Sequence, residues 1–354
     1  MNRKHVICQL DVSTRNSPAP MLAALLVASL LAGCAQDQGD RGPDLTASGT
    51  NRAVSSVPLP FEPGVISTAL NERDAAMTPD GSEFYFSIWS GSFGTIAMSR
   101  YVGGEWTMPE VVEFSGEYSD LEPFITHDGQ QIYFASARPI GPGAETDDFN
   151  IWVADRAGNA WTEPRLVEDP VYSTGNEYYP SVTAAGVLYF TSKREGGVGG
   201  EDIWRVARTD SGYGIVEAVA GGVNTERDEF NAFVAPDESY LIFSSWGRED
   251  GLGGGDLYVS FADDSGTFGP ALNLGSTINS SSLDYSPFVS PDGAHLYFSS
   301  RRANLHSTSD RWTYDELRAA LSAPGNGAGD IFRVDASVLD SLRLVSHPGR
   351  RQPD

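Results

Sequence analysis

Lysine and cysteine are almost absent from this 354-residue chain: Lys4 and Lys193 are the only lysines, Cys8 and Cys34 the only cysteines. Two cysteines exclude a disulfide framework and a cysteine-built zinc site. Positive charge is scarce as a whole. Against 48 Asp+Glu stand 24 Lys+Arg, a formal net charge of −24. The chain therefore lacks the basic footprint that nucleic acid requires, and no nucleic-acid partner is expected. The excess of 22 arginines over two lysines reads as codon composition rather than function. No Gly-x-Ser-x-Gly elbow is present, which removes the α/β-hydrolase reading. Glycine-rich stretches at 196–200 and 251–255 lack the Lys-Ser/Thr of a phosphate-binding loop and precede strand-like sequence. Beyond the N-terminal segment the histidines are His127, His295, His306 and His347. They are too scattered for a multi-histidine metal site, so neither metal nor cofactor is expected.

Apolar residues at 40 % suffice for a core, and 38 glycines with 21 prolines imply many turns between short strands. The N-terminus follows a different pattern. Met21-Leu-Ala-Ala-Leu-Leu-Val-Ala-Ser-Leu-Leu31 is an 11-residue apolar run preceded by Arg3, Lys4 and Arg15. Spanning a bilayer takes roughly 20 residues, so the run fits the core of a secretory signal. It ends in Leu31-Ala32-Gly33-Cys34, which resembles the bacterial lipobox, whose cysteine is lipidated and becomes the mature N-terminus. The alternative is an ordinary signal with an incidental cysteine. Ala35, in place of an inner-membrane retention Asp, implies by the same resemblance an outer-membrane lipoprotein facing the periplasm or the cell surface. Loss of residues 1–33 removes three bases and one acid and moves the net charge from −24 to −26. Residues 34–57 read as a flexible tether from Cys34, 58–340 as the folded domain and 341–354 as a C-terminal tail.

The folded domain is repetitive. Ser286-Pro-Phe-Val-Ser-Pro-Asp-Gly-Ala-His-Leu-Tyr-Phe-Ser-Ser300 recurs in variants, and the aligned phenylalanines are Phe86, Phe134, Phe190, Phe243 and Phe298, separated by 48, 56, 53 and 55 residues. Each copy reads as strand, tight Asp-Gly-type turn, strand. A third strand follows, as in Asp202-Ile-Trp-Arg-Val206, and then an outer strand marked by an aromatic and a proline, as in Trp161-Thr-Glu-Pro164. Four strands per unit at this period predict an all-β fold, a β-propeller of four-stranded blades sharing one core. Phe61-Glu-Pro-Gly-Val-Ile66 matches Phe268-Gly-Pro-Ala-Leu-Asn273, so the N-terminal strand is expected to complete the last blade and close a five-bladed ring. Six blades, one degenerate, is the alternative. The repeat resembles the WD40-like propeller repeat of TolB-type periplasmic proteins, carried by the Pro-Asp-Gly turn, the Tyr-Phe-Ser-Ser strand and the glycine-rich loop and strand of Gly196–Trp204. The likeness implies the fold and leaves function open, because propellers host binding, scaffolding and catalysis alike.

An acid opens each innermost strand: Glu72, Asp120, Glu177, Glu229 and Asp284. An arginine follows the aligned Phe in four copies: Arg138, Arg194, Arg248 and Arg302, with Ser90 in the first. Blade topology puts both sets at one mouth of the channel. Either each arginine pairs with an acid and pins a loop, or the charges form a funnel for a polar ligand such as a sugar or peptide. A channel-bound cation is a special case of the second reading. Asn150, Asp202, Asp256 and Asp330, which open the third strands, read as turn-formers. The stretch 303–329 breaks the repeat. Thr313-Tyr-Asp-Glu316 resembles a capping box before a helix at 314–322, read as a cap over apolar surface or as a lid or partner contact. The expected function is a monomeric, lipid-anchored envelope module binding a protein, peptide or glycan, with the membrane met only through the anchor. The alternative is a carbohydrate-active enzyme using channel carboxylates.

Overall fold

The computed structural model describes residues 55–141, 143–144, 148–307 and 310–346; Cys34, the signal segment and the tether up to residue 54 lie outside the described residues. The chain forms five antiparallel sheets arranged as a five-bladed β-propeller. The inner strands are Glu72–Met77, Asp120–Ile125, Glu177–Val182, Asp228–Val234 and Asp284–Val289. Each pairs with a second strand bearing the aligned phenylalanine, and that strand pairs with a third, such as Asp202–Thr209 in blade three. The second and third strands are buried because blades stack face to face: Phe86, Phe134, Phe190, Phe243 and Phe298 are all at most 1 % exposed.

The hairpin turns explain the Pro-Asp-Gly signature. In the first blade Asp80 Oδ1 accepts from the Ser82 N–H (3.0 Å) and from the Thr78 hydroxyl (2.7 Å), and Gly81 takes φ 70° to reverse the chain. The same bonds recur at Thr126–Asp128 and Ser290–Asp292.

The outer strands differ from the expectation. In blades one and two the segment is two short pieces, Glu105–Trp106 with Glu110–Val111 and Ala160–Trp161 with Arg165–Leu166, each pairing the same third strand. Pro109 and Pro164 fall between the pieces, where a residue without an N–H interrupts the ladder. Blade three has no proline there and keeps one strand, Gly212–Ala218.

Closure follows the sequence reading. Leu59–Pro60 pairs antiparallel with Arg333 and Phe332 as the outer strand of the fifth blade, and Phe61 N–H donates to the Ile331 carbonyl at 2.7 Å. Phe61 is 2 % exposed, its ring 4.8 Å from Phe84 in blade one and 5.0 Å from Tyr297 in blade five. One side chain thus fastens the first blade to the last.

Two helices are described. The first, Tyr314–Leu321, has the Thr313/Glu316 capping box, but none of its residues is buried. It is therefore not a cover over apolar surface, since Leu317 and Leu321 remain exposed. The second, Val338–Ser346, carries regular structure past residue 340; Leu339 is buried, and Arg343 lies over the rings of Phe261 and Tyr240 in blade four.

Phe61→Ala should lower unfolding free energy by about 3–5 kcal/mol, read by urea denaturation. A loss below about 1 kcal/mol would mean that the terminal strand does not fasten the ring.

Candidate functional site

Eight of the nine charged residues singled out in the sequence form internal pairs, and Glu72 has no arginine partner among the described residues. Asp120–Arg138, Glu177–Arg194, Glu229–Arg248 and Asp284–Arg302 lie at 2.9, 3.0, 3.0 and 2.7 Å. All four carboxylates are fully buried. Each guanidinium also donates to a carbonyl of the loop entering its own blade, for example Arg138 to Phe114 at 3.0 Å and Arg302 to Ile278 at 2.5 Å. Each lies against the ring of the aligned Phe and a second ring on the third strand: Phe134 and Trp152, Phe190 and Trp204, Phe243 and Tyr258, Phe298 and Phe332. In blades three to five a Ser or Thr four residues before the acid closes the unit; Thr225 donates to Glu229 and Ser280 to Asp284, each at 2.7 Å. The arginines thus pin loops, and none of the five acids that open the strands lines the axial cavity described below.

Blade one departs from this plan at three positions. Ser90 stands for the arginine, Ile88 for the second serine of Phe-Ser-Ser, and Ala97 for the ring on the third strand. Glu72 is 1 % exposed, and Thr68 donates to it through its N–H (3.2 Å) and its hydroxyl. Burial pushes its carboxyl up to about 7 against those hydrogen bonds, with the Asp330 charge adding to the rise.

The axis is lined by residues the repeat count passed over. Every inner strand has a β-bulge directly after the residue that follows the opening acid: Arg73, Leu121, Tyr178, Phe230 and Tyr285. At each bulge one non-glycine residue sits in the left-handed region: Asp74 (φ 62°), Glu122 (61°), Tyr179 (48°), Asn231 (50°) and Ser286 (51°). The first serine of Phe-Ser-Ser holds these turns across blades. Ser299 Oγ accepts from Asp74 N–H, Ser87 from Glu122 and Thr191 from Asn231, at 3.0, 2.8 and 3.1 Å. Blade two has Ala135 there, and the Glu122 carboxylate takes over the acceptor role, receiving Tyr179 N–H at 2.8 Å.

Four of these side chains, those of Asp74, Glu122, Asn231 and Ser286, join Arg73 in one network across the axis. Arg73 Nε bonds Asp74 at 2.7 Å, and its Nη2 bonds Glu122 at 2.9 Å. Asn231 donates to Glu122 at 3.1 Å, Ser286 to Asp74 at 2.6 Å, and the Tyr179 hydroxyl to the Pro287 carbonyl at 2.9 Å. Burial works against the charge on Arg73, and Asp74, Tyr285 and Glu122 more than restore it. Burial, then the Asp74 charge, raises the carboxyl of Glu122. Above this network opens a mouth of about 290 Å³, walled by Trp89, Phe149, Tyr178, Phe230 and Tyr285 with Arg301 at the rim. Among the described residues no group of three or more His, Cys, Asp or Glu is placed to hold a metal ion, and no helix is long and apolar enough to cross a membrane.

The signal for the axis was present in the sequence as disagreement between copies. At the two positions after the opening acid the blades carry Arg73-Asp74, Leu121-Glu122, Tyr178-Tyr179, Phe230-Asn231 and Tyr285-Ser286.

No protein-family model matches the chain, and no curated protein matches it. Solved structures do. A glycoside hydrolase is similar at TM-score 0.51 with 10 % identity over 80 % of this chain and 92 % of the other. A protein assigned as TolB from Agrobacterium tumefaciens is similar at 0.44, with 15 % identity over 75 % and 90 %. An arabinanase of Bacillus subtilis is also similar at 0.44, with 13 % identity over 75 % and 94 %. At such identities the likeness is one of fold.

Glu72 supplies a pH test. Its carboxyl holds a proton more tightly in the folded chain, so its contribution to stability is full below the unfolded value of 4.5 and is lost as pH rises through about 7. Glu72→Gln should therefore lose less stability than the parent across that window, by roughly 2–3 kcal/mol, in urea titrations at a series of pH values. Parallel profiles would contradict the assignment.

Proposed function

We propose that this chain is a monomeric, outer-membrane-anchored envelope lipoprotein, lipidated at Cys34, whose propeller is a binding module with its ligand seated in the axial mouth. Of the three ligand classes considered, protein, peptide and glycan, the mouth suits a glycan best. Sugars offer apolar C–H faces to rings such as Tyr178 and Phe230 and hydroxyls to groups such as Asn231 and Arg301.

The observation that carries this reading is the contrast between frame and axis. The loop-pinning pairs repeat in four blades, whereas the left-handed residues at the axis differ in every blade. Stability alone gives no reason for five different left-handed residues around one axis; a shaped, asymmetric ligand does. The anchor rests on the apolar leader, the Leu-Ala-Gly-Cys ending and Ala35. The tether meets the propeller at Ser55, whose carbonyl accepts from Asp335 N–H beside the hairpin turns. That is the face opposite the mouth.

A second reading, a carbohydrate-active enzyme, is favoured by one observation. Asp74 and Glu122 flank the same Arg73, and the carboxyl of Glu122 is raised. One protonated and one ionised carboxyl is the arrangement glycoside cleavage uses. Binding ranks first because Arg73 holds both carboxylates in ion pairs.

A panel of envelope oligosaccharides, scored for both retention and cleavage, tests the two readings together. At least one member should bind without turnover, and Tyr178→Ala should weaken it tenfold or more, about 1.4 kcal/mol, with an unchanged melting temperature. Turnover lost in Glu122→Gln would establish the second reading. No retention of any member would count against a glycan ligand.

A further inference from the structure

The axis carries a second cavity at its other end, on the hairpin-turn side of the polar network. Its volume is about 480 Å³, within the roughly 300–1,000 Å³ of small-ligand pockets. Much of its wall is aromatic. Phe124, Phe233 and Phe288 line it, each four residues after the opening acid of its blade, where blades one and three have Ala76 and Ser181. The rings of Phe233 and Phe288 stand at 84° with centroids 5.7 Å apart, so they form a corner. Tyr240 lies 6.5 Å from Phe233 and extends that wall.

The charge at this end of the axis is of one sign. Asp292 is the only formally charged side chain among the lining residues. Its Oδ1 accepts from the Ser290 hydroxyl at 2.5 Å and from the Ala294 N–H at 3.0 Å, and Oδ2 receives no hydrogen bond among the described residues. Burial works against this carboxylate, and the two bonds more than restore it, so its carboxyl lies below the ordinary value. His127, also in the lining, is held toward its uncharged form by burial. Pro79, His127 and Pro236 line the cavity too, and each is followed by an exposed acid at the turn position of Asp292: Asp80, Asp128 and Asp237. Arg343 lies 5.9 Å from the centre of the Tyr240 ring but is not part of the lining.

Aromatic faces attract cations through their quadrupole, and an ionised carboxylate beside them adds to the attraction. The phenylalanine rings offer no lone pair to an ammonium or guanidinium N–H, and burying such a donor unpaired is costly. A quaternary ammonium avoids that cost, because its charge lies beneath methyl groups that pack as hydrocarbon.

We propose that this cavity binds a small quaternary ammonium compound, with its cationic head among Phe124, Phe233, Phe288 and Tyr240 and with Asp292 as the counter-charge. The site is separate from the mouth and does not depend on what the mouth holds.

Choline and dimethylbutanol, its isostere with a quaternary carbon in place of the nitrogen, are a matched pair of probes. In calorimetric titrations of the full chain, choline should bind saturably at millimolar concentration or below, and the alcohol at least about threefold more weakly. Asp292→Asn keeps a side chain suited to the turn. It should weaken choline about two- to fivefold and leave the alcohol where it was. Tyr178→Ala, in the mouth, should not change the affinity for choline. Absence of saturable choline binding to the folded parent would overturn the proposal. So would equal affinity for the two probes, an unmoved choline affinity in Asp292→Asn, or a loss confined to Tyr178→Ala, which would put the cation in the mouth.

Discussion

Four of the five blades depend on one buried interaction: a carboxylate at the start of the inner strand, a serine on the second strand and an arginine held between two rings. The carboxylate gathers donors from three chain segments. In blade four these are Thr225 of the entering loop, Ser245 of the second strand and Arg248 of the loop beyond it. Arg248 in turn bonds the Val223 carbonyl, so the entering loop is bound at both ends. Burying such charges is favourable only when every lone pair and proton is met, and here most are. The requirement explains why the second serine of Phe-Ser-Ser, the following arginine and the ring on the third strand recur together, and why all three are missing from blade one, where the acid Glu72 remains.

This frame frees the axis to vary. Because loops and strands are fixed away from the channel, the bulged position of each inner strand carries no obligation to its own blade beyond an acceptor for its N–H. Serine or threonine on the neighbouring blade supplies that acceptor for Asp74, Glu122 and Asn231. Where blade two has alanine, Glu122 replaces the missing hydroxyl. Left-handed backbone at five non-glycine residues is strained, and strain of this kind persists where the surroundings over-determine it. The cross-axis bonds among Arg73, Asp74, Glu122, Asn231 and Ser286 supply that over-determination.

The architecture was legible because it repeats. Phenylalanines at even spacing, Asp-Gly turns and the likeness of Phe61–Ile66 to a later outer strand sufficed for five blades and their closure. Pairing of arginine with acid was legible for the same reason. The axis was not, for two physical reasons. A bulge breaks the alternation of faces along a strand, so period-two reading misplaces the residues after the opening acid. Repeat counting also favours positions at which copies agree, whereas Asp74, Glu122, Tyr179, Asn231 and Ser286 agree in nothing but backbone conformation. The helix Tyr314–Leu321 shows a related limit: its capping box fixes where it starts, but an amphipathic pattern does not say whether anything packs on the apolar side.

The division between a structural ring of charges and a functional axis is tested most directly by removing one arginine. Arg248→Met keeps the side chain's length and apolar contact with Phe243 and Tyr258 while leaving Glu229 buried without its cation. Urea unfolding of this variant should show a loss of about 3–5 kcal/mol at neutral pH. Unchanged stability would contradict the division and return the ring of acids and arginines to the role of a ligand-facing funnel.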